Sequence, residues 1–225
     1  MRIFFKLLQI AIFVLPLFAM RQDKPLRVIF FGDSITQAGV NPTGYITQMG
    51  EMLKAKGQEK QFELIGAGIG GNKVYDLYLR LEDDVLSKKP DVVFIYVGIN
   101  DVWHKSSSGT GTDTDKYVKF YEALIKKMKA QNIRIIVCTP TVIGERNDAS
   151  NAQDGDLNQY SKLIREIATR NNLQLCDLRK HFQDYLAQNN PENKEKGILT
   201  SDRVHLTEAG NKFLAEKMME ALLQK

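Results

Sequence analysis

Val28-Ile29-Phe30-Phe31-Gly32-Asp33-Ser34-Ile35-Thr36 passes from four apolar residues into a glycine, an acid and a serine. A short apolar run that ends on turn residues reads as a buried strand, and Ser34 then stands where that strand breaks. A serine hydroxyl is a poor nucleophile unless a base takes its proton and donors hold the oxyanion that forms. Ser34 is therefore a candidate nucleophile only if such partners lie elsewhere in the chain.

Working outward, further apolar runs predict strands near 27–31, 62–66, 91–97, 134–139 and 173–177, with helical patterns between them. Tyr117, Phe120, Tyr121, Leu124 and Met128 mark one such helix. Phe213, Leu214, Met218 and Leu222 mark another, which starts near Ala209 and takes its methionines into the core. Alternating strands and helices predict an α/β protein with a parallel sheet, whose ligands bind beyond the carboxyl ends of the strands.

The chain has three histidines, His104, His181 and His205. His205 closes Asp202-Arg203-Val204-His205, where the carboxylate can fix the ring tautomer and leave the second nitrogen for the Ser34 proton. A lone Asp-x-x-His is otherwise an ordinary surface pair. Two other segments supply donors. Gly66-Ala67-Gly68-Ile69-Gly70-Gly71-Asn72 follows an apolar run, and Gly71 can present a backbone N–H without a side chain in the way. Val97-Gly98-Ile99-Asn100-Asp101 ends a second run on Asn100, whose amide is a donor of the kind that holds an oxyanion. Asp33, Asn72 and Asp101 are expected to hold their own turns by local hydrogen bonds.

Gly66, Gly68 and Gly71 also satisfy the dinucleotide pattern G-x-G-x-x-G. That pattern requires an acid at the end of the next strand. Asp91 has the right offset but begins its strand, at the opposite edge of the sheet, so the nucleotide reading fails.

In order, the Gly-Asp-Ser block, the glycine turn, Gly-x-Asn-Asp and the terminal Asp-x-x-His resemble the SGNH hydrolases, the GDSL esterase and lipase family, over about residues 27–222. The resemblance implies a flavodoxin-like three-layer α/β/α sandwich around a parallel five-stranded sheet. It implies Ser34 as nucleophile, His205 as base and Asp202 as its orienter. It implies an oxyanion hole of Ser34 N–H, Gly71 N–H and Asn100. Ile35 stands where the family name has leucine, an apolar exchange. Neither metal nor cofactor is implied. Substrates in such a family include acetylated carbohydrates, lysophospholipids, acyl thioesters and short-chain esters. Removal of O-acetyl groups from carbohydrates is the favoured expectation. The alternatives are a lysophospholipase or broad acyl esterase, and a non-catalytic carbohydrate-binding domain.

At 225 residues and 43% hydrophobic content, with no repeat, the chain fits one domain over 21–225. Residues 1–20 carry Arg2, Lys6 and no acid before the apolar stretch Leu7–Ala19. That is the layout of a secretory signal, too short for a comfortable membrane span. Leu17 stands where an A-x-A-like cleavage site would have a small residue, so a retained anchor is the alternative. Either way the expected location is outside the cytoplasm. Removing Arg2 and Lys6 lowers the net charge from +4 to +2, too little to argue for nucleic acid as a partner.

Cys138 and Cys176 lie in apolar runs and are expected to be buried thiols. Glu192–Lys196 reads as a solvated connector. Two loops, Trp103–Thr114 and Thr141–Asp154, are expected at the substrate edge, with Ser106–Gly109 a flexible connection. Trp103 offers a face for a sugar ring or acyl chain, or simply packs. His104 binds substrate or caps its loop.

Overall fold

The computed structural model describes residues 24–224. The signal or anchor expected at residues 1–20 lies outside them. The strands are β1 (Leu26–Gly32), β2 (Phe62–Gly68), β3 (Val92–Tyr96), β4 (Arg134–Cys138) and β5 (Gln174–Cys176). The helices are α1 (Ser34–Ala38), α2 (Tyr45–Ala55), α3 (Val74–Asp84), α4 (Ile99–Ser107), α5 (Thr114–Lys129), α6 (Asp154–Asn171), α7 (Leu178–Asn189) and α8 (Glu208–Leu223). All five expected strands form, each within two residues of its expected ends.

The sheet is parallel throughout, in the order β2-β1-β3-β4-β5. This is the flavodoxin-like order, with its switch point between β1 and β3. Strands covered on both faces need continuous apolar sequence. Accordingly Val28, Ile29, Phe30 and Phe31 are completely buried, as are Val93, Phe94 and Ile95. The Phe30 and Phe94 rings stack at 5.0 Å across the β1–β3 pair.

Helices α2 and α8 pack together on one face, with α7 against α8; α3, α5 and α6 pack along the other. The result is the expected three-layer sandwich. In α8, Leu214, Met218, Met219 and Leu222 are buried, while Phe213 is partly buried against Phe182 and Tyr185 of α7.

The glycine turn is shaped by packing. A Cβ on Gly68 would lie 2.1 Å from the Gln37 backbone nitrogen, so glycine is what lets α1 lie against the end of β2. Asp91 is at the amino edge, where Arg27 N–H donates to its carboxylate at 2.7 Å. The two halves of the nucleotide pattern are thus at opposite edges of the sheet.

Cys138 and Cys176 are free, buried and direct register partners on β4 and β5. The loop expected at Trp103–Thr114 begins later, because α4 continues through Ser107. The loop from Thr141 is not solvated along its whole length, since Thr141–Glu145 are all buried. The Glu192–Lys196 connector is mostly exposed, yet Glu195 pairs with Arg203 at 2.9 Å and its carbonyl accepts from Glu145 N–H.

Candidate active site

Gly32 ends β1 and is register partner of both Gly68 and Tyr96. Ser34, Gly71 and Asn100 follow these three strand ends, which puts all three at the carboxyl edge beside the switch point. Asp33 caps α1, its carboxylate accepting from Ile35 N–H at 3.0 Å, and Ser34 becomes the first helical residue. The expected local turn bond of Asp33 is present.

The segment after α7 returns to this edge as a closed loop. Thr200 and Leu206 form an antiparallel bridge, Ser201 N–H donates to His205 C=O at 2.8 Å, and Thr207 N–H donates to Leu199 C=O at 2.9 Å. Within it, Asp202 Oδ1 accepts from the backbone N–H groups of Val204 (3.0 Å) and His205 (2.7 Å). Its Oδ2 lies 2.7 Å from His205 Nδ1. A carboxylate only accepts, so Nδ1 carries the proton and Nε2 is the acceptor. Ser34 Oγ is 2.9 Å from that Nε2 and donates to it. Three residues singled out in the sequence thus form one hydrogen-bonded relay. Such a relay can withdraw a proton from the serine as its oxygen attacks.

Gly71 adopts φ +77°, a left-handed conformation that favours glycine, and beyond its missing side chain the first atom is His104 Cε1. Among the described residues neither Gly71 N–H nor Ser34 N–H is engaged. The Asn100 amide is buried in the first turn of α4 and donates to Asn72 C=O at 3.1 Å, leaving a second N–H. The turn is held by residues with no motif of their own. Gln37 Oε1 accepts from Gly70 N–H at 2.8 Å. Arg80 reaches Asn72 Oδ1 (2.7 Å), Gly32 C=O (2.7 Å) and Ala67 C=O (3.1 Å). These two residues were not legible in advance, since a polar side chain on a helix carries no sign of which loop it meets. Asn72 and Asp101 bond further afield than expected. Asn72 serves Arg80, and Asp101 Oδ1 accepts from Val74 N–H at 3.2 Å.

Trp103 and His104 sit on α4 beside these groups and are partly exposed. Trp103 meets His205, and His104 adjoins Gly71. Burial lowers the His104 pKa, with help from the nearby Lys73 ammonium, which favours the neutral ring. Burial pushes Asp33 up to about 7, the Ile35 N–H opposing and the Asp101 charge adding to the rise. Burial also pushes Asp101 up to about 6 against the pull of Thr112, Val74 N–H and Lys73. For Asp202 burial acts upward, but the bonds from His205 and Val204 outweigh it and hold the carboxyl below its ordinary value. Asp202 is therefore ionised at neutral pH and is placed against the ring that would gain charge.

Residues 30–213 match the profile of the GDSL-like lipase/acylhydrolase family. The chain is 31% identical over 212 residues to an acetylxylan esterase of Geobacillus stearothermophilus, covering 87% of this chain and 93% of that one. It is 23% identical over 214 residues to a lipoprotein of Bacillus subtilis, covering 86% and 88%. Among solved structures, the acetyl xylan esterase AlAXEase superposes with a TM-score of 0.87 at 64% identity, over 88% of this chain and all of the other. A mutant of an acetyl-xylooligosaccharide esterase from Geobacillus superposes at 0.78 with 29% identity, over 89% and 95%. Sequence and architecture agree, and the chain belongs to the GDSL-like lipase/acylhydrolase family as a carboxylic ester hydrolase of the SGNH type.

Proposed function

We propose that the protein removes O-acetyl groups from carbohydrates through an acetyl-enzyme on Ser34. Ser34 Oγ attacks the acetyl carbonyl while His205 Nε2 takes its proton, and Asp202 stabilises the imidazolium. Ser34 N–H, Gly71 N–H and the second Asn100 amide N–H receive the oxyanion. Collapse of the intermediate expels the sugar oxygen, which takes the proton back from His205. Water, deprotonated by the same nitrogen, then attacks the acetyl-enzyme; the bond from the acetyl carbon to Ser34 Oγ breaks, Oγ takes the proton back from His205, and acetic acid leaves and ionises to acetate. Each proton that His205 takes is given back, first to the sugar oxygen and then to Ser34, so the enzyme ends the cycle unchanged.

The observation that carries this reading is the relay of Ser34, His205 and Asp202, closed at 2.9 and 2.7 Å beside two unengaged backbone donors. The carbohydrate substrate is supported by the acetylated-xylan specificity named for the relatives and by Trp103 at the mouth of the site. Export is supported by the basic and then apolar residues 1–20 and by the lipoprotein among the relatives. Residues 21–225 would then be the working domain.

The test is hydrolysis of p-nitrophenyl acetate, butyrate and octanoate, and acetate release from acetylated xylooligosaccharides, by the protein and its Ser34→Ala variant. Activity lost with Ser34 and favouring acetyl groups is the expected result. A preference for octanoate would overturn the carbohydrate reading in favour of a lysophospholipase. Undiminished hydrolysis by Ser34→Ala would overturn the mechanism.

A further inference from the structure

Glu145 lies in the buried first half of the loop after β4 and is fully shielded from solvent. Among the described residues its carboxylate pairs with no cation. It accepts from Ile198 N–H at 2.9 Å on one oxygen. The other oxygen accepts from Leu199 N–H at 2.7 Å, from Thr200 N–H and from the Thr200 hydroxyl at 2.9 Å. Four donors thus converge on one side chain, three of them successive backbone amides. Those amides belong to residues 198–200, which lead directly into Asp202 and His205. The backbone beside Glu145 holds the far side of the same loop, with Gly144 N–H donating to Arg203 C=O at 2.8 Å.

We propose that Glu145 is a positioning residue for the reaction, holding the Asp202–His205 loop at the height that brings Nε2 to Ser34. This rests on the role proposed for that histidine. Ile198 and Leu199 lie in a bend and Thr200 in an isolated bridge, so no helix or sheet ladder takes their amides, which burial would otherwise leave unpaired. A carboxylate, which only accepts, satisfies all of them at once. Its loss would free the loop at the point where it turns toward Ser34. A displacement near 1 Å at a reacting group costs roughly a hundredfold in rate. Glutamine at this position has the same size but turns one acceptor into an N–H2 that faces donors.

The experiment measures kcat and KM on p-nitrophenyl acetate, the rate of Ser34 phosphorylation by diisopropyl fluorophosphate with release of fluoride, and the melting temperature. Full-length Glu145→Gln, Glu145→Asp, Thr200→Val and Met128→Ala proteins are compared with the parent. Met128 is buried at the end of α5, which leads to the opposite edge of the sheet, so its truncation reports general destabilisation. Glu145→Gln is expected to lower kcat roughly 10- to 100-fold, with KM within about threefold and phosphorylation by the fluorophosphate slowed in parallel. Aspartate recovers part of the loss, and Met128→Ala lowers the melting temperature while retaining kcat. Kcat within twofold of the parent in folded Glu145→Gln would overturn the proposal, as would a loss no greater than that of Met128→Ala. Should Glu145→Gln not fold, Thr200→Val decides. It removes one donor only, and a several-fold fall in kcat at constant KM is expected, whereas an unchanged kcat overturns the proposal. Failure of the serine mechanism itself is separate, since it would appear as hydrolysis persisting in Ser34→Ala.

Discussion

The Trp103 and His205 rings meet edge to face, their centroids 6.3 Å apart at 70°. One wall of the site is thus an aromatic surface in contact with the ring proposed as base. Trp103 is partly buried against the core, which leaves part of the indole for a ligand. Trp103→Ala is expected to raise KM several-fold for acetylated xylooligosaccharides and to change kcat on p-nitrophenyl acetate far less. Equal losses on both substrates would assign Trp103 to holding His205 instead.

Asp202→Asn keeps the shape of the loop but presents an amide to His205 Nδ1, favouring the wrong tautomer. The expected loss in kcat is about 10⁴-fold, at nearly unchanged KM. Steady-state kinetics together with an unaltered circular dichroism spectrum would check it.

Asn100 donates to Asn72 C=O at 3.1 Å, which leaves its other N–H for the proposed oxyanion contact. Asn100→Ala is expected to lower kcat by about 10²- to 10³-fold. Asn72 itself donates nothing to the proposed oxyanion, so Asn72→Ala should cost much less. Comparing the two in single-turnover measurements separates charge stabilisation from support of the turn.

The carboxyl of Asp33 moves from 3.8 to about 7 on folding, chiefly by burial. Between those values the folded protein holds a proton that the unfolded chain has released. Stability therefore falls as pH rises through the window from about 4 to about 7. Asparagine keeps an oxygen for Ile35 N–H and has no charge to bury. The Asp33→Asn variant should melt higher than the parent at about pH 8, with the gap narrowing toward pH 5. Parallel melting temperatures across this range would show that Asp33 does not carry the effect.

The sheet was legible because strands covered on both faces must be apolar throughout. Val28–Phe31 and Ile135–Cys138 state that directly, and their spacing leaves room for crossover helices. Ser34, Gly71 and Asn100 were legible because each sits just past such a run, where parallel topology puts strand ends on one edge. Residues acting across long separations were not. Arg80 clasps Gly32, Ala67 and Asn72 from α3, and Glu145 holds amides more than fifty positions away. The one pairing of Arg80 that helix spacing foretells is Asp84, one turn on at 2.6 Å, which gives no sign of its reach to the strand ends, and a loop glutamate ordinarily faces solvent. The end of α4 was misjudged for another reason. Trp103–Ser107 is rich in residues that suit loops, yet Val102 is buried and Ser106 and Ser107 return their hydroxyls to Trp103 C=O, which keeps the helix going.

The hydrogen bond between Ser34 and His205 joins residues 171 positions apart. During translation all five strands are synthesised before the histidine is added. A stop codon shortly after β5 would therefore yield a polypeptide with its whole sheet sequence and its serine, but without the histidine proposed as its base. By the same logic, ester hydrolysis arises only as synthesis nears its end, which delays the chemistry until most of the chain is available to fold.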